Sequence, residues 1–202
     1  MSKYYYAVRE GRKKGIYTTW SECEAQVKGY PCAVFKKFST YEEALSFAEG
    51  NEYKNENIDV TNLKKNEMIA YVDGSFDKDT GYYSYGVVIF TEDGGYEISN
   101  KEKDESMNSM RNVAGEIRGA IIAMEKALEE RKDTLYLYYD YMGIEKWATG
   151  EWKANKHGTK MYKEYYDSIK DRLHVVFKKV IAHSGNEYNE KADRLAKEAL
   201  LK

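Results

Sequence analysis

The chain reads as an α/β protein: a five-stranded mixed sheet flanked by helices, preceded by a small β-β-α-β-α unit. Three observations carry this reading. From Met68 onward, three strand-like runs come in series, at 68–75, 83–91 and 95–101, and helices then alternate with two further strands. That order suits a mixed sheet with helices on its faces. Residues 51–67 are polar with no apolar period and set this part off as a separate domain, 68–202, from a compact unit at 1–50. Acids also stand at strand ends, where a buried carboxylate is costly unless something cationic meets it.

In the first fifty residues, Tyr4 to Val8 reads as a strand, 9–15 as a basic turn bounded by glycine, and Ile16 to Thr19 as the return strand of a hairpin. Ser21 and Glu24 fit a capping box for a short helix that stops at Gly29. Residues 33–38 form a third strand. Ser39 or Thr40, followed by Glu42 and Glu43, starts a second helix through Ala48. Residues 51–67 are expected to be a short linker.

In the second part, turn residues at 77–81 and 92–95 join the first three strands. The helix at 110–131 has a stripe at Val113, Ile117, Ala120, Ile121, Met124 and Leu128, a 3.6-residue period. A strand at 134–140, a short helix at 141–149, a helix at 157–172, a strand at 173–182 and a last helix from Glu190 complete the order.

Composition bounds the function. The 202 residues are 42% hydrophobic and 33% charged, enough to bury a core. No run is apolar for the ~18 residues of a membrane span. The start carries no signal-peptide block, and two cysteines, Cys23 and Cys32, are too few for a disulfide scaffold. Both are expected to be small buried side chains, and the protein a cytoplasmic monomer. Net charge is −2. Residues 1–50 carry eight Lys/Arg against six Asp/Glu, net +2, which leaves −4 for the rest. An acidic domain can still handle a polyanion if its acids hold metal ions.

Four acids are the chemical signal. Asp73 ends the first strand of the second part and Asp140 the fourth. Glu116 lies in the first turns of the long helix, at the edge of its apolar stripe, and Asp193 in the first turn of the last helix. Hard oxygen ligands drawn from separate segments favour Mg²⁺ or Mn²⁺. Asp140 could also cap the 141–149 helix.

The segments Val72-Asp73-Gly74-Ser75, Asn112-Val113-Ala114-Gly115-Glu116, Tyr139-Asp140-Tyr141 and Ala182-His183-Ser184-Gly185-Asn186 through Asp193 resemble the motifs of the type 1 ribonuclease H family. Residues 3–48, with Tyr6, Trp20 and Phe35-Lys36-Lys37, resemble the hybrid-binding domain found before many type 1 ribonucleases H. The resemblance implies a ribonuclease H-like fold, an endonuclease that cuts the RNA strand of RNA–DNA hybrids, and products with 5′-phosphate and 3′-hydroxyl ends. It implies two Mg²⁺ ions, with Mn²⁺ as a substitute, held by Asp73, Glu116, Asp140 and Asp193. His183 would aid proton transfer or product departure. It assigns nucleic-acid contact to Tyr6, Trp20, Phe35, Lys36, Lys37 and Asn112. Arg111 stands where many members have a smaller hydroxyl residue, and is a phosphate candidate. Trp152, Lys153 and Lys156 are candidates for the DNA strand. Some relatives carry a long basic insertion after that point, and here the segment is short. The N-terminal unit, which could also take double-stranded RNA, would substitute for it. Two other readings stay open: a catalytically inactive binder of hybrid or double-stranded RNA, and a different nuclease on the same fold.

Overall fold

The structure, a computed structural model, describes residues 4–38, 41–48, 60, 62–180 and 186–202. Its contacts divide the chain into two units, Met1–Glu56 and Asn57–Lys202.

The first unit holds strands β1 (Tyr5–Glu10), β2 (Gly15–Tyr17) and β3 (Val34–Phe38) and helices α1 (Trp20–Val27) and α2 (Tyr41–Ala48). The sheet order is β2-β1-β3, antiparallel throughout. Side chains alternate across it. Ala7 and Phe38 pack with Ala44 of α2. Val8 packs with Cys23 and Val27 of α1.

The cap of α1 differs from expectation. Thr19, not Ser21, is the N-cap: its Oγ1 accepts from the Glu22 N–H at 3.3 Å, and Glu22 Oε2 accepts from the Thr19 N–H at 3.1 Å. Trp20 is therefore the first helical residue. Arg12, in the basic turn, spends its guanidinium on the end of this helix, donating to Ala25 O at 3.1 Å and Lys28 O at 2.7 Å. Those carbonyls have no partner within the helix, and a cation there is favourable. Of the two cysteines, Cys23 is buried but Cys32 is exposed, a second departure.

The second unit holds β4 (Glu67–Phe76), β5 (Tyr83–Thr91), β6 (Gly94–Glu102), α3 (Asn112–Glu129), β7 (Thr134–Tyr139), α4 (Gly143–Thr149), α5 (His157–Ile169), β8 (His174–Lys179) and α6 (Glu187–Leu201). The sheet order is β6-β5-β4-β7-β8. β4 pairs antiparallel with β5 and parallel with β7, which pairs parallel with β8. The sheet is the expected five-stranded mixed one. Met68, Ala70 and Val72 of β4 face the main core with Ile117, Ala120 and Met124 of α3. Ile69 and Tyr71 face the opposite side with Ala192 of α6.

Several boundaries move. The linker expected at 51–67 is shorter at its far end, because Val60 and Leu63 pack against the Ile69–Tyr71 cluster and β4 begins at Glu67. Residues 51–59 and 61 lie outside the described residues. α6 starts at Glu187, capped by Asn186, whose side chain accepts from the Asn189 N–H at 3.1 Å. Asp193 thus lies in the second turn, not the first. Among the described residues no helix is long and apolar enough to cross a membrane.

Two close crossings seat helices on the sheet. A Cβ on Gly115 would lie 2.9 Å from the Gly74 Cα, and one on Gly74 would strike the backbone of Asn112, Gly115 and Glu116. A Cβ on Gly86 would strike the backbone of Ala192 and lie 2.8 Å from the Ala196 N. Only glycine allows these approaches. Each contact is one residue from a candidate acid: Gly74 beside Asp73, Gly115 beside Glu116, Ala192 beside Asp193.

Candidate active site

The parallel register pairs Tyr71 with Tyr138, so Asp73 and Asp140, two residues further along, come out side by side. The two tyrosine rings stack beneath them with centroids 4.4 Å apart. The α3–β4 crossing then brings Glu116 in from the helix. One carboxylate oxygen from each of Asp73, Glu116 and Asp140 lies within 4.8 Å of the others. Asp140 is not the cap of α4: that helix begins at Gly143, after Met142, with no side-chain cap.

The nest is electrostatically strained. Asp73 is 7% exposed and Glu116 2%. Burial, then the charge of Asp140, pushes the Asp73 carboxyl up to about 7, although the Gly74 N–H donates to its Oδ1 at 2.7 Å. Burial, then Asp73 and Asp140, pushes Glu116 well above the usual carboxylate range. Glu116, expected at the edge of the apolar stripe, is buried, and its Oε2 has no hydrogen-bond partner. Crowded carboxylates with an orphaned buried oxygen fit a hard divalent cation.

Asp193 stands just outside the nest. Its Oδ2 accepts from Lys197 Nζ at 2.6 Å, yet its charge still raises Asp73. His183 lies outside the described residues.

Arg111 and Asn112 are exposed at the start of α3, and Asn112 is one turn from Glu116. Arg111 holds φ of 53°, a conformation that non-glycine residues rarely adopt. Next to them, a cavity of about 310 Å³ is lined by Met110, Val113, Tyr141, Trp147, Lys153 and Asn155, among others. Trp147 packs between Tyr141 and Trp152, at 5.7 and 6.0 Å between centroids. Of the three candidates for the DNA strand, Lys153 and Lys156 line this cavity, and Trp152 does not; Ser109, Asn155 and Thr159, short polar side chains with no periodic signal in the sequence, line it too.

In the first unit, Trp20 bridges Tyr6 and Phe35, with centroids 5.7 and 5.8 Å away. Trp20 is 45% exposed and Phe35 41%, a large apolar cluster facing solvent. The two lysines do not act together. Lys37 shares the face of Tyr6 and Phe35, and its Nζ lies 3.5 Å from the Tyr4 ring centroid. Lys36 points to the α2 side, over Phe38. Adjacent residues of a strand cannot share a face.

The family model described as "RNase H" matches residues 65–201. The chain belongs to the ribonuclease H family. A second model, described as "Ribonuclease H1 N-terminal domain", matches residues 4–48. Human Ribonuclease H1 is 28% identical over 255 residues, covering 96% of this chain and 88% of the relative. Ribonuclease H of Francisella philomiragia is 36% identical over 148 residues, covering 68% of this chain and 93% of its own. Among solved structures, LC11-RNase H1 in complex with an RNA/DNA hybrid superposes with a TM-score of 0.53 at 25% identity, over 65% of this chain and 95% of that one. The ribonuclease H fold and its nuclease chemistry thus account for the mixed sheet and the acid nest. The N-terminal match accounts for the separate aromatic unit.

Proposed function

We propose that this ribonuclease H hydrolyses the RNA strand of RNA–DNA hybrids with two divalent ions, Mg²⁺ with Mn²⁺ as a substitute, and leaves 5′-phosphate and 3′-hydroxyl ends. The observation that carries the reading is the nest of Asp73, Glu116 and Asp140, with the unpaired Glu116 Oε2 inside it. Asp73, Glu116 and Asp140 would hold one ion, and Asp73 with Asp193 the other. When bound, divalent ions polarise the scissile phosphate and lower the pKa of water.

The chain's own residues do the rest. The β4–β7 register and the α3–β4 crossing fix three acids on rigid elements, which hold geometry better than loops. Asn112 and Arg111 stand at the lip of the nest, where a backbone or a 2′-hydroxyl can meet them. Tyr6, Trp20 and Phe35 offer ring faces for sugar or base, and Lys37 offers charge for phosphate. His183 is proposed for proton transfer or product departure. A tethered binding unit would raise the local concentration of hybrid and favour repeated cuts. The same unit is proposed to take double-stranded RNA, and the protein to act as a cytoplasmic monomer.

The test is a substrate panel: labelled RNA–DNA hybrid, double-stranded RNA and single-stranded RNA, with Mg²⁺, Mn²⁺ or EDTA. Cleavage confined to the hybrid and lost in EDTA supports the proposal. Binding without cleavage would favour an inactive binder instead.

A further inference from the structure

Three acids share the nest, and the fourth already has a cation. Asp193 Oδ2 and Lys197 Nζ are 2.6 Å apart, one turn from each other on α6. The helix cannot roll to separate them from the sheet. Gly86 admits the Ala192 backbone, and Ser84 Oγ donates to the Ala196 carbonyl at 2.6 Å. Those contacts bracket Asp193 on both sides. The pair is nevertheless wet: the Lys197 side chain is 60% exposed and that of Asp193 24%. An exposed pair of this kind is weak and screened by salt. Asp193 therefore stays within electrostatic reach of the nest while an ammonium occupies one of its oxygens.

Resting on the two-ion reading above, we infer that Lys197 competes with the second divalent ion for Asp193. The nest of Asp73, Glu116 and Asp140 loads first. The Asp193 side loads second and more weakly, because Lys197 must swing off Oδ2 into solvent. Its four-carbon stem permits that swing without moving the helix. The lysine thus sets the affinity of the weaker ion and makes it depend on ionic strength, leaving the tighter ion alone.

The experiment is Mn²⁺ binding to the full chain without nucleic acid, read from the electron paramagnetic resonance signal of free Mn²⁺. Lys197→Gln should tighten the weaker class about three- to tenfold, or reveal it where the natural chain shows one class, and leave the tight class within about twofold. Lys197→Arg should behave like the natural chain. Lys191→Gln is the control: it removes the same charge from the same helix, but Lys191 pairs with Glu97 at 2.5 Å. It should change neither class by more than about twofold. Raising the salt should shrink the gap between Lys197→Gln and the natural chain. Equal tightening by Lys191→Gln, or no tightening by Lys197→Gln, overturns the inference while leaving two ions in place. A single Mn²⁺ class in every variant overturns the two-ion reading itself. Asp193→Asn separates these: it should abolish the weaker class, and a surviving weaker class would show that another group holds that ion.

Discussion

The Cα of Gly74 lies 2.9 Å from the point where a Cβ on Gly115 would stand. This contact seats α3 on β4 one residue from both Asp73 and Glu116, so helix placement and acid geometry are one variable. Gly115→Ala should lift the helix at that point. Overpacking of this kind costs about 1–3 kcal/mol. Divalent-ion affinity should fall with it, measured by calorimetry beside a thermal melt. A variant with full stability and unchanged Mg²⁺ affinity would mean that the crossing does not set the site.

Asp73 lies in the nest with Glu116 and Asp140 and also feels the charge of Asp193, so Asp73→Asn should lower hybrid cleavage at least about a hundredfold. Hybrid binding, proposed for the first unit, should stay near its natural value. The ion-free fold should also gain stability, because a buried charge beside Asp140 is removed. Activity assays, gel shifts and melting temperature in EDTA test the three parts. Near-natural cleavage would reject Asp73 as an ion ligand.

The raised carboxyls give a pH dependence of definite sign. Asp73 titrates at about 7 in the fold and near 4 when unfolded. Between those values the fold binds the extra proton, so the contribution of Asp73 to ion-free stability is greatest at low pH and falls as pH rises from about 4 to about 7. Glu116 shifts in the same direction. A divalent ion replaces that proton. Mg²⁺ should therefore raise the melting temperature more at about pH 8 than at about pH 5.5, and binding between them should release protons. Titration calorimetry in two buffers of different ionisation heat measures the release. Equal Mg²⁺ stabilisation at both pH values would contradict it.

Trp20 is the centre of the aromatic cluster, touching both Tyr6 and Phe35. Trp20→Ala should weaken hybrid binding by about 1–3 kcal/mol if it stacks on the nucleic acid. Lys37→Ala should reduce the salt dependence of binding by about one phosphate contact. Lys36→Ala should do less, since Lys36 lies on the other face. Fluorescence anisotropy across a salt series distinguishes them, and equal effects of the two lysines would refute the face assignment.

Much of this was legible in the sequence, for physical reasons. The stripe of α3 and the strand runs follow from backbone periodicity, which is local. The acids were visible because a carboxylate at a strand end is costly. Other features are non-local or degenerate. Thr19/Glu22 and Ser21/Glu24 both satisfy capping-box spacing, and the sequence cannot choose between them; in the fold, Trp20 as first helical residue meets Tyr6 and Phe35. The glycine crossings join segments that no local pattern connects. The twenty tyrosines, many at strand positions, are expected to pack with the hydroxyl at the surface, and their number carries no functional signal. Several bridge elements by donating to carboxylates, as Tyr83 does to Glu102 at 3.0 Å and Tyr139 to Glu145 at 2.5 Å. Lys197 could have been found, because Asp and Lys four apart on a helix face each other.

The Ser84–Ala196 bond joins residues 112 positions apart. Asp73 and Asp140 can meet once β4 and β7 have paired, but Asp193 arrives only when α6 docks against β5. During synthesis that helix emerges after every other element described here. A ribosome-bound chain can thus pair β4 with β7 before Asp193 has left the exit tunnel. The fourth acid of the proposed ion site is the last to take its place, and the weaker ion is the last to find its ligands.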